Sequence, residues 1–244
     1  MTVVRVKGFS KCGLWILLLG IGIGLILVTN IYSDYLKCHF NYVSLLDNFP
    51  QEPRCEVPQR VAKQDINHNG TPDALDIVKG ARREVKKGTV YDGSYHQSGY
   101  PPEGKGACTD VIWRAFKTAG YKLKVMVDED IESAPQAYGP TGLNPEPSID
   151  FRRVQNLQVF FIRHAQQLTT EVKPGEVNNL VEWQPGDIVV FGPPLEHIGI
   201  ISDRRCRDGV PLVIHNSGPT AAEGDYLLHW PSKITYHFRF IENN

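Results

Sequence analysis

The chain has 244 residues, with 26 Lys and Arg set against 27 Asp and Glu, giving a net charge of −1 at pH 7. Hydrophobic residues at 41% and charged residues at 22% exclude a disordered or fibrous chain. Without a basic excess no nucleic-acid partner is expected, and five cysteines are too few for a disulfide scaffold.

Residues 12–33 carry no charge. As a helix they would rise about 33 Å, enough to cross a hydrocarbon core of ~30 Å. Arg5, Lys7 and Lys11 precede the run, which places residues 1–11 in the cytoplasm and the rest outside the membrane. The run reads as an uncleaved single-pass anchor. A cleaved signal peptide is the alternative, but no small-x-small site follows Val28. Gly20 and Gly24 form a GxxxG pair through which two anchors could pack into a weak homodimer. Residues 34–64, interrupted by Pro50, Pro53 and Pro58, read as a stalk. Cys38 and Cys55 lie in it, either as a disulfide or as two separate thiols.

Residues 65–76, DINHNGTPDALD, have the spacing of a twelve-residue calcium loop. Asp65, Asn67, Asn69, Thr71, Asp73 and Asp76 fall at positions 1, 3, 5, 7, 9 and 12, with Gly70 at the turn. Calcium takes six to eight oxygens, so alternate side chains must point inward while position 7 offers its carbonyl. The loop resembles the single calcium loops of dockerin-type extracellular modules. It departs from an EF-hand in ending on Asp and in lacking an entering helix. The alternative is a polar turn that caps a helix. Leu75, Ile77, Val78, Ala81 and Val85 mark that helix, which Gly88 ends. A bound ion would be structural.

The run GKGACTDVIWRAFKTAGY predicts a buried helix with Cys108 in its first turn. There the helix dipole is expected to lower the thiol pKa. Taken alone, Cys108 is more simply a small core residue. Residues 122–182 hold the NPEPSIDFRR loop and a helix around 154–168, whose His164 reads as surface. Downstream, PGDIVVF, HIGIISD, LVIHNSG and TYHFRFI read as closely spaced strands, an antiparallel meander following the helices. The fold class is therefore α+β. Asp187 is expected to cap the PGD turn.

The series Cys108, PGDIVVF, HIGII and VIH resembles the papain-like cysteine peptidases of the NlpC type and the related CHAP amidases, which cut bacterial cell-wall peptides. With the GACTDV, NLQVFF and HNSG runs, the stretch from about 77 to 241 is closer still to a bacterial domain family of unknown function in that superfamily. The resemblance implies a papain-like fold over residues 77–244, with Cys108 as nucleophile, His197 as base and His215 orienting His197. It departs in the separation of 89 positions from Cys108 to His197 and in the CTD run. Tyr91 falls where related enzymes carry a tyrosine near the nucleophile. Asp110 and Asn216 are supporting candidates, and Arg152 and Arg153 are candidates for binding a substrate carboxylate.

The implied function is amide cleavage, with peptidoglycan or a muropeptide as substrate and no organic cofactor. Three alternatives stay open. One is a calcium-stabilised wall-binding scaffold, another an acyl or peptidyl transferase on the same residues. The third is a zinc hydrolase using Cys108, His197 and His215. Cys206 has no assigned role.

Overall fold

The computed structural model describes residues 54–240. The expected cytoplasmic tail, the anchor with Gly20 and Gly24, Cys38 and most of the stalk lie outside the described residues. Among those described, no helix is long and apolar enough to cross a membrane.

Helices come first: α1 (Asp73–Lys87), α2 (Cys108–Thr118), α3 (Leu123–Ser133), the single turn α4 (Pro140–Leu143) and α5 (Val154–His164). The helix expected over 154–168 thus ends at His164, and Gln166–Gln167 turn into a short edge strand, β1. A further turn, α6 (Val177–Leu180), leads to β2 (Ile188–Phe191), β3 (His197–Arg205), β4 (Pro211–His215), β5 (Ala222–Gly224) and β6 (Ile234–Arg239). The six strands form one sheet in the order β1-β6-β2-β3-β4-β5, with every pairing antiparallel. Strands β2 to β5 form the expected meander. The last strand departs from it by returning to pair with β2 on the opposite edge.

α1 ends at Gly88 in the left-handed conformation, which lets its N–H and that of Thr89 reach the carbonyls of Val85 and Glu84. α1 and α2 lie against one face of the sheet. Ile188, Val190, Ile198, Ile200, Ile214 and Phe238 meet Val111, Ile112, Ala115, Phe116 and Phe161 there. The other face is also covered: Val189, Phe191, Ile201 and Val213 pack with Leu180, Trp183, Val210 and Leu227. Burial on both faces explains why β2 reads as an unbroken apolar run and does not alternate.

The described end of the expected stalk is docked on the domain. Cys55 N–H donates to Arg207 O, Gln184 Nε2 donates to Pro58 O, and Gln64 Nε2 donates to the Tyr121 hydroxyl. Cys55 carries a free thiol, so of the two alternatives for Cys38 and Cys55 the disulfide is not the one formed; Cys206 is disulfide-bonded.

Candidate active site

Cys108 is the first residue of α2 and is almost wholly buried. Two residues before it the backbone runs so close to the helix that a Cβ on Gly106 would come within 2.6 Å of Asp110 Cβ. The Asp110 carboxylate accepts the Ala107 N–H at 2.7 Å and so caps the helix start. It also receives Trp113 Nε1 at 2.8 Å. With Arg152 it forms a buried two-pronged ion pair, Nε to Oδ1 at 2.9 Å and Nη2 to Oδ2 at 3.0 Å.

The expectation that Arg152 receives a substrate carboxylate is corrected by this pairing. Its remaining nitrogen, Nη1, donates to Ser94 O at 2.9 Å, so the guanidinium ties the 92–94 loop to the helix that begins at Cys108. Arg153 is likewise engaged, with Asp150 and Glu146 each at 2.8 Å. Tyr91 stands half-exposed beside this region. Its phenol is pushed above its ordinary pKa by desolvation and, more weakly, by the proximity of Cys108 and Asp110. Asn216 is fully buried. Its amide donates to Thr89 O at 3.1 Å and Gly106 O at 2.8 Å, joining the end of β4 to the segments that flank Cys108.

His197 opens β3 and His215 closes β4. The register pairs Ile200 with Ile214 and Ile201 with Val213, which brings Gly199 alongside His215. A Cβ at position 199 would lie 2.5 Å from Val213 Cγ1 and 3.5 Å from His215 Cβ. The glycine of HIG thus lets the two strands approach closely enough for the imidazoles to meet. His197 Nε2 lies 2.7 Å from His215 Nδ1, with the rings nearly perpendicular. Trp230 stacks on His197 with centroids 4.2 Å apart, and Tyr226 meets His215 edge-on at 4.1 Å. Trp230 is itself held by its indole N–H on Leu195 O at 3.1 Å. Sequence reasoning missed this aromatic box. Its one visible signal was the pair Tyr226 and Trp230, four residues apart soon after the His215 strand.

Burial sets the charge state. Desolvation, with a smaller contribution from His215, pushes His197 down to about 3; desolvation alone pushes His215 down to about 4. Burial also pushes the Cys108 thiol up to about 11, outweighing the backbone N–H groups of Ile198 and Thr109 that favour the thiolate. The expected lowering of the Cys108 pKa is therefore reversed, and at neutral pH the site holds a thiol and two uncharged imidazoles. The structure brings His197 and His215 into contact. It places Cys108 against the backbone of Ile198, the residue after His197, and no hydrogen bond joins the thiol to either ring.

In the 65–76 loop, Asp73 departs from its expected place. Its carboxylate is turned to the Ile66 N–H at 2.9 Å and the Tyr121 hydroxyl at 2.6 Å, outside the loop's own turn. Among the described residues no three His, Cys, Asp or Glu side chains gather as a metal-holding group, Cys108, His197 and His215 included. The Asp of PGD does more than cap its turn: Asp187 accepts the Gln184 N–H, both Arg239 prongs and His237 Nε2.

A helix-then-sheet α+β domain with a buried cysteine at a helix start and a paired histidine couple on adjoining strands defines the class. Residues 78–240 match the family described as Domain of unknown function (DUF1287), and the chain belongs to that family. It is 36% identical over 193 residues to Uncharacterized protein YijF of Escherichia coli (strain K12), covering 76% of this chain and 88% of that protein. No solved structure matches the chain.

Proposed function

We propose that the domain is a papain-like cysteine hydrolase of the NlpC and CHAP kind, carried outside the membrane by the residue 12–33 anchor. It would cleave an amide bond in peptidoglycan or a muropeptide. The observation that carries this reading is the 2.7 Å contact between His197 and His215 at the strand ends beside the helix start that bears Cys108.

Each group has a task. For His197 to act as a base through Nδ1, its Nε2–H donates to His215 Nδ1, which fixes the tautomer. Substrate binding would close the gap between thiol and imidazole, since catalytic hydrogen bonds often tighten only in the complex. As the thiol proton passes to His197 Nδ1, Sγ attacks the amide carbon. The proton is then delivered to the leaving nitrogen, and water releases the acid from the acyl-enzyme. The Cys108 N–H, at the start of α2, would donate to the developing oxyanion. Asp110 and Arg152 position the nucleophile and take no part in proton transfer.

The test is covalent trapping. Acid-quenched mixtures of the chain with muropeptides are digested and read by mass spectrometry. A muropeptide acyl adduct on the peptide containing Cys108, absent from Cys108→Ala, is expected. A folded protein that turns substrate over with no adduct and no dependence on Cys108 would sink the reading.

A further inference from the structure

We propose that the 65–76 loop binds one calcium ion, through Asp65, Asn67, Asn69, Asp76 and the Thr71 carbonyl, and that this ion clamps α1 to α2. The proposal does not depend on the hydrolase reading.

The loop is wound inward. Asp65 Oδ1 accepts the Asn69 N–H at 3.1 Å and Oδ2 the Gly70 N–H at 2.7 Å. Asn67 and Asn69 each bond a backbone N–H two residues on. Gly70 has φ +82°, a turn that a side chain would strain, and His68 has φ +54°. Such winding alone would suit an ordinary polar turn. The second observation is Asp76, whose residue is fully buried although it belongs to the first turn of α1.

Asp76 Oδ1 has no hydrogen-bond partner, and the exposed Lys79 ammonium stands off at 3.6 Å. Asp76 Oδ2 faces into the loop and draws the amide nitrogens of Asn69 at 2.5 Å and Asn67 at 3.1 Å. A buried carboxylate with an oxygen that accepts no hydrogen bond is costly, and two neutral amides with one exposed ammonium at 3.6 Å are weak compensation. A cation at the same point compensates fully. Each Asn oxygen accepts one backbone N–H and keeps a second lone pair for the ion. Two carboxylates with amide and carbonyl oxygens form a hard, low-charge donor set suited to calcium at extracellular concentrations. Only two of the ligands are acidic, so no cluster of three acidic or His/Cys side chains is needed.

The ion would lock more than its loop. Asn67 also donates to Thr118 O at the end of α2. Gly120 leaves room for this contact, since a Cβ there would lie 3.0 Å from Asn67 Cβ. Asp73, withdrawn from the ligand set, anchors the same region through Tyr121.

The experiment uses the full chain in detergent, stripped with chelator, with thermal unfolding followed against calcium and against magnesium. Calcium about a hundredfold above its Kd is expected to raise Tm by roughly 5–10 °C, and magnesium to do far less. Asp65→Asn and Asp76→Asn are expected to abolish the shift. Terbium luminescence, excited through Tyr121 and displaced by calcium, gives a reading that survives a change in fold stability. No calcium shift and no displaceable luminescence, an equal response to magnesium, or a shift retained in both variants would each overturn the proposal.

Discussion

His197 Nε2 and His215 Nδ1 lie 2.7 Å apart inside a box made by Trp230 and Tyr226, sealed from the solvent that would favour their charged forms. Two rings that share one hydrogen bond cannot both be protonated at the shared nitrogens. Geometry therefore excludes a doubly charged couple, and burial favours the neutral one.

The pH dependence follows with a definite sign. Both imidazoles are held below their ordinary value of 6.5, at about 3 and about 4. The unfolded chain takes up protons near 6.5 that the folded chain refuses. The stability contributed by the couple is therefore complete above that pH and is lost as pH falls through about 4 to 3. Nuclear magnetic resonance titration of the ring protons should show both midpoints below 5, and urea unfolding should show the folded state weakening on the acid side of 6.5.

The Cys108 thiol, raised to about 11, has a thiolate fraction of about one in ten thousand at pH 7. Iodoacetamide should label it slowly at pH 7, and about tenfold faster for each unit of pH up to 10. Mass spectrometry of the labelled peptide checks this. Fast labelling at pH 6 would show a stabilised thiolate–imidazolium pair instead.

Removing one partner from the Asp110–Arg152 pair leaves a buried charge uncompensated, at a cost of about 3–5 kcal/mol. Arg152→Ala should unfold in less denaturant by that amount. Asp110→Asn should also lower kcat, because the Ala107 cap and the loop carrying Ser94 are both released from α2.

Gly199→Ala places a methyl 2.5 Å from Val213 Cγ1 and beside His215 Cβ. Overpacking of this kind typically costs about 1–3 kcal/mol. Displacement of His215 should lower activity at least tenfold while circular dichroism keeps its native form.

The succession of elements was legible because helix period, turn residues and β-branched runs are local signals. Gly88 stops α1 where expected, and HIGII and VIH become β3 and β4. The return of β6 to β2 was not legible, since pairing across more than forty residues leaves no local trace. The same holds for Arg152. An arginine in a loop looks free until the fold sets it against a carboxylate 42 positions away. The thiol pKa failed for a related reason: a helix start is visible in sequence, but the burial that outweighs it is not. Cys55 and Cys206 show that spacing carries no geometry for a disulfide.

The central claim is tested most directly by digestion of purified peptidoglycan with the full chain and calcium, products being read by mass spectrometry beside Cys108→Ala and His197→Ala. The account predicts a new amide-cleavage product that both variants fail to make while remaining folded. Cleavage that persists in folded Cys108→Ala, or no product from peptidoglycan or any muropeptide with the native chain, would contradict it.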